Sequence, residues 1–175
     1  MDPTRRYLEM VSTARETWSP GSGPHPSFEA FILDHGAAQS EADAPGDFVG
    51  RLGPFRKGFC YMNANRVGSR HPDRFLYMEG YACASPGFPI PFMHAWLFDL
   101  ETNRFVDPTW GSEGGHYLGV AFSPEFLQKF NATTGYYGVF GTDNWKQLHP
   151  FLTNGFPEGA IVNVTPAIEP ISTFA

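Results

Sequence analysis

The chain has 175 residues, 42% of them hydrophobic and 16% aromatic, with a formal charge of −6 at pH 7. That length fits a single domain over residues 1–175, able to bury about 70% of its unfolded surface, and the acidic balance argues against a general nucleic-acid binder. No apolar run reaches the roughly 20 residues of a membrane span, and MDPTRRYLEM has no apolar signal core, so a cytoplasmic protein without membrane contact is expected.

In chain order, Asp2 as N-cap and Pro3 at the first helical position open a helix that runs to Trp18. Its expected buried side is Tyr7, Met10, Val11, Ala14 and Trp18, which recur at spacings of three and four. The Ser/Pro/Gly run at 19–24 ends it. A second helix starts near Ser27, buries Phe28, Phe31 and Ile32, and stops at Gly36. The polar stretch Ala37 to Gly50, with Glu41, Asp43 and Asp47, reads as a loop.

Basic residues then cluster. Six of the 12, namely Arg51, Arg56, Lys57, Arg66, Arg70 and Arg74, fall in residues 51–74. Within them lies a two-turn helix from about Cys60 to Val67, stopped by Gly68, with Phe59, Met62 and Val67 as its buried contacts. From Arg74 the period changes to two. Phe75, Tyr77, Glu79, Tyr81 and Cys83 share one face, and Leu76, Met78, Gly80, Ala82 and Ala84 the other. Both faces are mainly apolar, as in a central strand. Glu79 is either an acid in a substrate pocket or an edge residue.

After a turn at Ser85–Pro89, the stretch from Pro91 to Trp110 reads as a β-hairpin. Phe92, His94, Trp96, Phe98 and Leu100 share a face, and the return strand places Phe105 and Asp107 together. A four-residue loop, Leu100 to Asn103, sets Asp99 opposite Arg104 and Asp107 opposite Trp96. Asp107 is then diagonal to His94, roughly 7–8 Å away between backbones and within side-chain reach. The glycines at 111, 114 and 115 make a loop, and His116 to Phe122 reads as a further strand, with His116 itself read as a loop residue. Ser123 and Pro124 open a short helix through Phe130. Beyond Asn131 the only strand candidate is Ile161 to Val164.

Cys60 at a helix start, His94 on a strand and Asp107 on the next strand suit a nucleophilic triad. A free thiol has a pKa of about 8.5, and a helix N-terminus, a neighbouring imidazolium and local cations each favour the thiolate. The carboxylate orients the ring. Cys83, on a strand apolar on both sides, reads as core. Cys60, Cys83 and His94 match no short zinc-ligand spacing, so neither a metal nor another cofactor is expected. Without an export signal both cysteines are expected as free thiols.

G-F-C at a helix head, H-A-W on a strand and V-D-P-T-W on the next resemble the transglutaminase-like branch of the papain-like cysteine enzymes. The resemblance spans roughly residues 55–110. It implies an α+β papain-like fold with N-terminal helices and an antiparallel sheet. It also implies Cys60 as nucleophile, His94 as general base, Asp107 as its orienting partner, and attack on amide carbonyls through a thioester. Acyl transfer then goes to water, as in a thiol protease or other amide hydrolase, or to an amine. Tyr61 stands where many members carry Trp, and no Gln precedes Cys60 as in papain, which leaves the Cys60 N–H as one oxyanion donor. Trp96, Tyr61, Glu79 and Arg66 are the residues expected to touch substrate. The basic cluster beside Cys60 favours an acidic protein or peptide as that substrate. A non-catalytic binding module for an anionic or peptide partner is the alternative on the same scaffold.

Overall fold

The protein is described by a computed structural model that covers residues 2–18, 25, 27–85, 88–140, 151 and 154–167. The expected burial of Ala14 and Trp18, the break at 19–24, the tip of the turn at Pro86–Gly87 and the tail beyond 167 lie outside the described residues or side chains. The fold is mixed α+β around one antiparallel sheet.

Helix α1 spans Pro3–Trp18, and the Asp2 carboxylate caps it by accepting from the Thr4 N–H at 2.8 Å. Its buried line is Thr4, Leu8 and Ser12, one step round from the expected stripe, and Met10 is 63% exposed. The anchor is partly polar: the Thr4 hydroxyl donates to the His116 carbonyl. Helix α2, Phe28–His35, starts where expected, with Ser27 Oγ accepting from the Ala30 N–H at 3.1 Å.

The stretch expected as a loop holds strand β1, Ala37–Glu41, and a short helix α3, Asp47–Gly50. Strand β1 shows no apolar alternation because Gln39 alone is buried in it, and its amide oxygen accepts from the Phe105 N–H at 3.0 Å. Helix α4 runs Cys60–Arg70, through Gly68 rather than ending there. A Cβ at Gly68 would stand 3.2 Å from that of Tyr77, so this glycine permits close helix–sheet approach and stops nothing. Val67 is buried as expected, whereas Phe59 is 45% exposed.

Strands β2 (Phe75–Ser85), β3 (Phe88–Asp99), β4 (Arg104–Val106) and β5 (Gly115–Phe122) follow, then α5 (Pro124–Thr134) and β6 (Ile161–Val162). The sheet order is β1-β5-β2-β3-β4, with β6 on β5. Strand β2 is central, as its two apolar faces require. Helix α5 continues four residues past Phe130 and closes at Gly135, whose φ of 72° suits a residue without Cβ.

The hairpin register is the expected one, with Asp99 opposite Arg104 and Phe98 opposite Phe105. The charges pair elsewhere, however. Asp99 takes Arg74 at 3.1 Å, and Arg104 grips Asp43 at 2.8 and 2.9 Å. That second pair helps close the sheet on itself: the Asp43 N–H donates to the Phe105 carbonyl at 2.7 Å, and Asp43 bridges Val106.

The sheet therefore has an inner face and a helix-covered face. Leu76, Met78, Trp96, Phe98, Phe105 and Tyr117 fill the inside. Leu8, Phe31, Ala64, Tyr77, Leu97 and Leu118 belong to the outer layer beneath the helices. Gly80 and Gly119 pair across β2 and β5 next to bulky Trp96. A Cβ on Gly119 would lie 2.6 Å from the Trp96 ring and 2.4 Å from the Glu79 carbonyl. Gly119→Ala is therefore expected to cost about 1–3 kcal/mol by overpacking, read as a fall in the urea midpoint; an unchanged midpoint would show that the sheet yields there.

Candidate functional site

His94 points into the sheet interior from β3, opposite Gly80, whose missing side chain leaves the ring room. Strand β4 stops at Val106, so the chain turns across the inner rim at 107–110 and carries Asp107 to the imidazole. His94 Nε2 and Asp107 Oδ2 are 2.7 Å apart, and both residues are almost fully buried. A carboxylate can only accept, so Nε2 carries the proton and Nδ1 is left for another partner. Asp107 is held from three further directions. Tyr117 donates its hydroxyl to Oδ2 at 2.8 Å, and the N–H groups of Thr109 and Trp110 donate to Oδ1 at 2.7 and 3.0 Å.

Cys60 is the first residue of α4, half-buried and unpaired with any cysteine. Its side chain lies close enough to His94 for the thiol to help raise the pKa of the ring. Phe59 at the N-cap offers no side-chain cap, so the first N–H groups of α4 stand open beside the thiol. Burial pulls the His94 pKa down, yet the hydrogen bond to Asp107 and the charges of Asp107 and Cys60 more than offset it and lift the pKa to about 9. The structure thus brings all three expected residues to one place, with His94 between Asp107 and Cys60. Cys83 is fully buried near Thr4 Oγ1, and burial pushes its thiol upward, consistent with a core role.

Two residues that the sequence reading left without a role complete the geometry. Trp110 lies flat on the imidazole, with ring centroids 3.6 Å apart and planes 8° from parallel. Asn63 donates to the Arg56 carbonyl at 2.9 Å and to Thr109 Oγ1 at 3.0 Å, tying α4 to the turn that carries Asp107. The only hint of either was position, Trp110 closing V-D-P-T-W and Asn63 one turn after Cys60.

The expected substrate contacts divide. Trp96 is fully buried in the inner core and cannot meet a substrate there; its size fills the space over Gly119. Glu79 is also fully buried, on the opposite sheet face from His94, so neither of its sequence-based readings holds. It accepts from the Tyr77 hydroxyl at 2.6 Å and from the Val139 and Phe140 N–H groups at 2.5 and 2.7 Å, pinning the segment after α5 to the sheet. Tyr61 is half-buried beneath the Gly138 backbone. Arg66 is exposed on α4, its guanidinium 5.9 Å from the Tyr137 ring centre.

No group of three or more metal-ligating side chains occurs among the described residues. No protein-family model, curated protein or solved structure matches the chain. Nor do the described residues contain a helix long and apolar enough to cross a membrane.

Asp107→Asn removes the charge that offsets burial, so the His94 pKa should drop from about 9 by more than about one unit; an imidazole NMR titration still centred near 9 would show that Asp107 does not set it. Glu79 gives a second test. Burial raises its pKa from 4.5 to about 7, while its three hydrogen bonds act the other way. Its contribution to stability is thus complete below about pH 4.5 and lost as pH rises through about 7, an effect on the order of 3 kcal/mol. Over that window wild type should lose more stability than Glu79→Gln, and parallel urea-midpoint curves would refute this.

Proposed function

We propose that the chain is a cysteine-dependent amide hydrolase or acyl transferase with a transglutaminase-like, papain-like core. The observation that carries the reading is the His94 ring, bonded to Asp107 at 2.7 Å and close to the Cys60 thiol at the open start of α4. In the proposed reaction, His94 already holds the thiol's proton on Nδ1, as its raised pKa favours, and the sulfur attacks an amide carbonyl. The C–N bond then breaks as His94 passes that proton to the departing amine. The resulting thioester is released to water or to a second amine, with His94 as base again. Asp107 holds the ring in the required tautomer and stabilises the imidazolium. The uncapped N–H groups of α4, that of Cys60 among them, supply oxyanion stabilisation. Trp110 covers one ring face and limits its rotation.

The substrate in this reading is a protein or peptide. Cys60 is partly exposed and Phe59 beside it is exposed, which in this reading lets an extended chain approach the thiol. The triad needs no cofactor.

Iodoacetamide near pH 6.5 should modify Cys60 at least about tenfold faster than Cys83, since the thiolate is the reacting form. Asp107→Asn should slow Cys60 modification without changing Cys83. Equal labelling of the two thiols, mapped by mass spectrometry, would overturn the activated-thiol reading and leave a binding scaffold.

A further inference from the structure

A cleft of about 220 Å³ runs along the flank of α4, between that helix and the 52–55 segment. Leu52, Pro54 and Phe55 form one wall, Asn63, Arg66 and Arg70 the other, and no acidic residue lines it. Of the six basic residues in 51–74, Arg74 is neutralised by Asp99 and Glu101, both at 3.1 Å, and Arg56 stacks over the Phe59 ring at 4.5 Å. Arg66 and Arg70 are exposed and make no ion pair among the described residues. They stand four apart on one helix, where like charges repel. Arg70, in the last turn, complements the helix dipole, and Arg66 makes only a 5.9 Å approach to the Tyr137 ring, which leaves its N–H donors unspent among the described residues. Apolar walls strengthen the field of two such cations by excluding water from one side.

Resting on the reading of Cys60 as nucleophile, we propose that this cleft seats the carboxylate of an acidic substrate side chain two to four residues from the attacked carbonyl, with Arg66 and Arg70 as its donors. The spacing follows from helix geometry. Arg66 and Arg70 lie roughly 9 and 15 Å along the axis from Cys60, and their side chains lean back toward it. An extended peptide advances roughly 3.3 Å per residue, so a chain laid along this flank from the thiol brings its third or so side chain to the guanidinium pair. Asn63, between Cys60 and the two arginines, already spends its amide on Arg56 and Thr109, and so forms floor rather than ligand. The substrate class is thereby an acidic peptide segment with its charge set back from the scissile amide.

Matched affinity labels test this on the full chain: iodoacetyl-Gly-Gly-Glu-Gly-amide, its Gln counterpart, and an isomer with Glu first. At about 0.05 M sodium chloride the label with Glu third should alkylate Cys60 about fivefold faster than the Gln label and faster than the isomer, an advantage largely gone at about 0.5 M. Arg66→Gln with Arg70→Gln should abolish the advantage, read as the ratio of Glu-label to Gln-label rates within that one variant, and glutamine keeps the helix propensity of an exposed site. Equal rates for the Glu and Gln labels in wild type, or an advantage that survives in the double variant, overturn the proposal. Should iodoacetamide itself show no preference for Cys60, the catalytic reading fails separately. The cleft is then judged by NMR of the Arg66 and Arg70 side-chain N–H groups titrated with acetyl-Gly-Glu-Gly-amide. Shifts with this peptide and not with its Gln analogue support the seat. Shifts with inorganic phosphate alone, or with nothing, refute it.

Discussion

Everything at the centre of this protein is arranged to keep the Asp107 carboxylate out of water. Burying such a charge costs several kcal/mol unless close partners replace its hydration. Four donors do so here, from His94, Tyr117 and the backbone at Thr109 and Trp110. They come from β3, from β5 and from the turn after β4, so the carboxylate joins three parts of the sheet that are distant in sequence. Removing one partner of such a pair characteristically costs about 3–5 kcal/mol, because the other charge stays behind. The same bonds aim the imidazole. A ring anchored through Nε2 and covered by Trp110 has one free nitrogen and one direction in which to present it.

Sheet curvature makes that anchoring available to a helix on the other side. Asp43, just beyond β1, bonds the β4 backbone and takes Arg104, so the sheet ends meet and the inner face closes around Trp96, Phe105 and Tyr117. Because β4 is only three residues long, the wall is low beside His94, and the start of α4 reaches the ring there. Asn63 fastens that approach by joining α4 to Thr109. Gly68 lets the far end of the same helix settle against Tyr77. The thiol is thus positioned by three contacts spread along eleven residues, which a helix this short needs, since its own propensity is marginal.

Glu79 shows the opposite treatment of a buried acid. It has hydrogen-bond donors but no cation within the described contacts, and burial pushes it to about 7. Its service is structural: with Tyr77 and Asn65 it holds residues 137–140 across α4, where Gly138 lies on the Tyr61 ring. That segment forms one border of the surface on which Cys60 and Arg66 stand.

Alternation along Phe92–Leu100, with a loop of even length, was enough to set the register up to Val106 opposite Leu97 and so bring the next residue near His94, because strand parity is a local property. Asp107 itself lies past the end of β4 and not on the strand as expected. Helix starts marked by Asp2, Ser27 and Ser123 were legible for the same reason, as capping chemistry lies within a few residues of the backbone it serves. Cys60 at a helix head was readable too. What the sequence could not decide depended on partners far along the chain. Strand β1 carries no apolar pattern, because its inward residue is a glutamine satisfied by Phe105. Gly68 looks like a helix stop until Tyr77 is seen beneath it. Trp96 and Glu79 looked like substrate contacts, yet closure of the sheet put one inside it and the 137–140 segment sealed the other. Local chemistry therefore marked Cys60, His94 and Asp107, and for the first two the elements that carry them. Only tertiary closure decided which neighbouring side chains remain open to a substrate, because exposure is set by what folds over a residue and not by the residue itself.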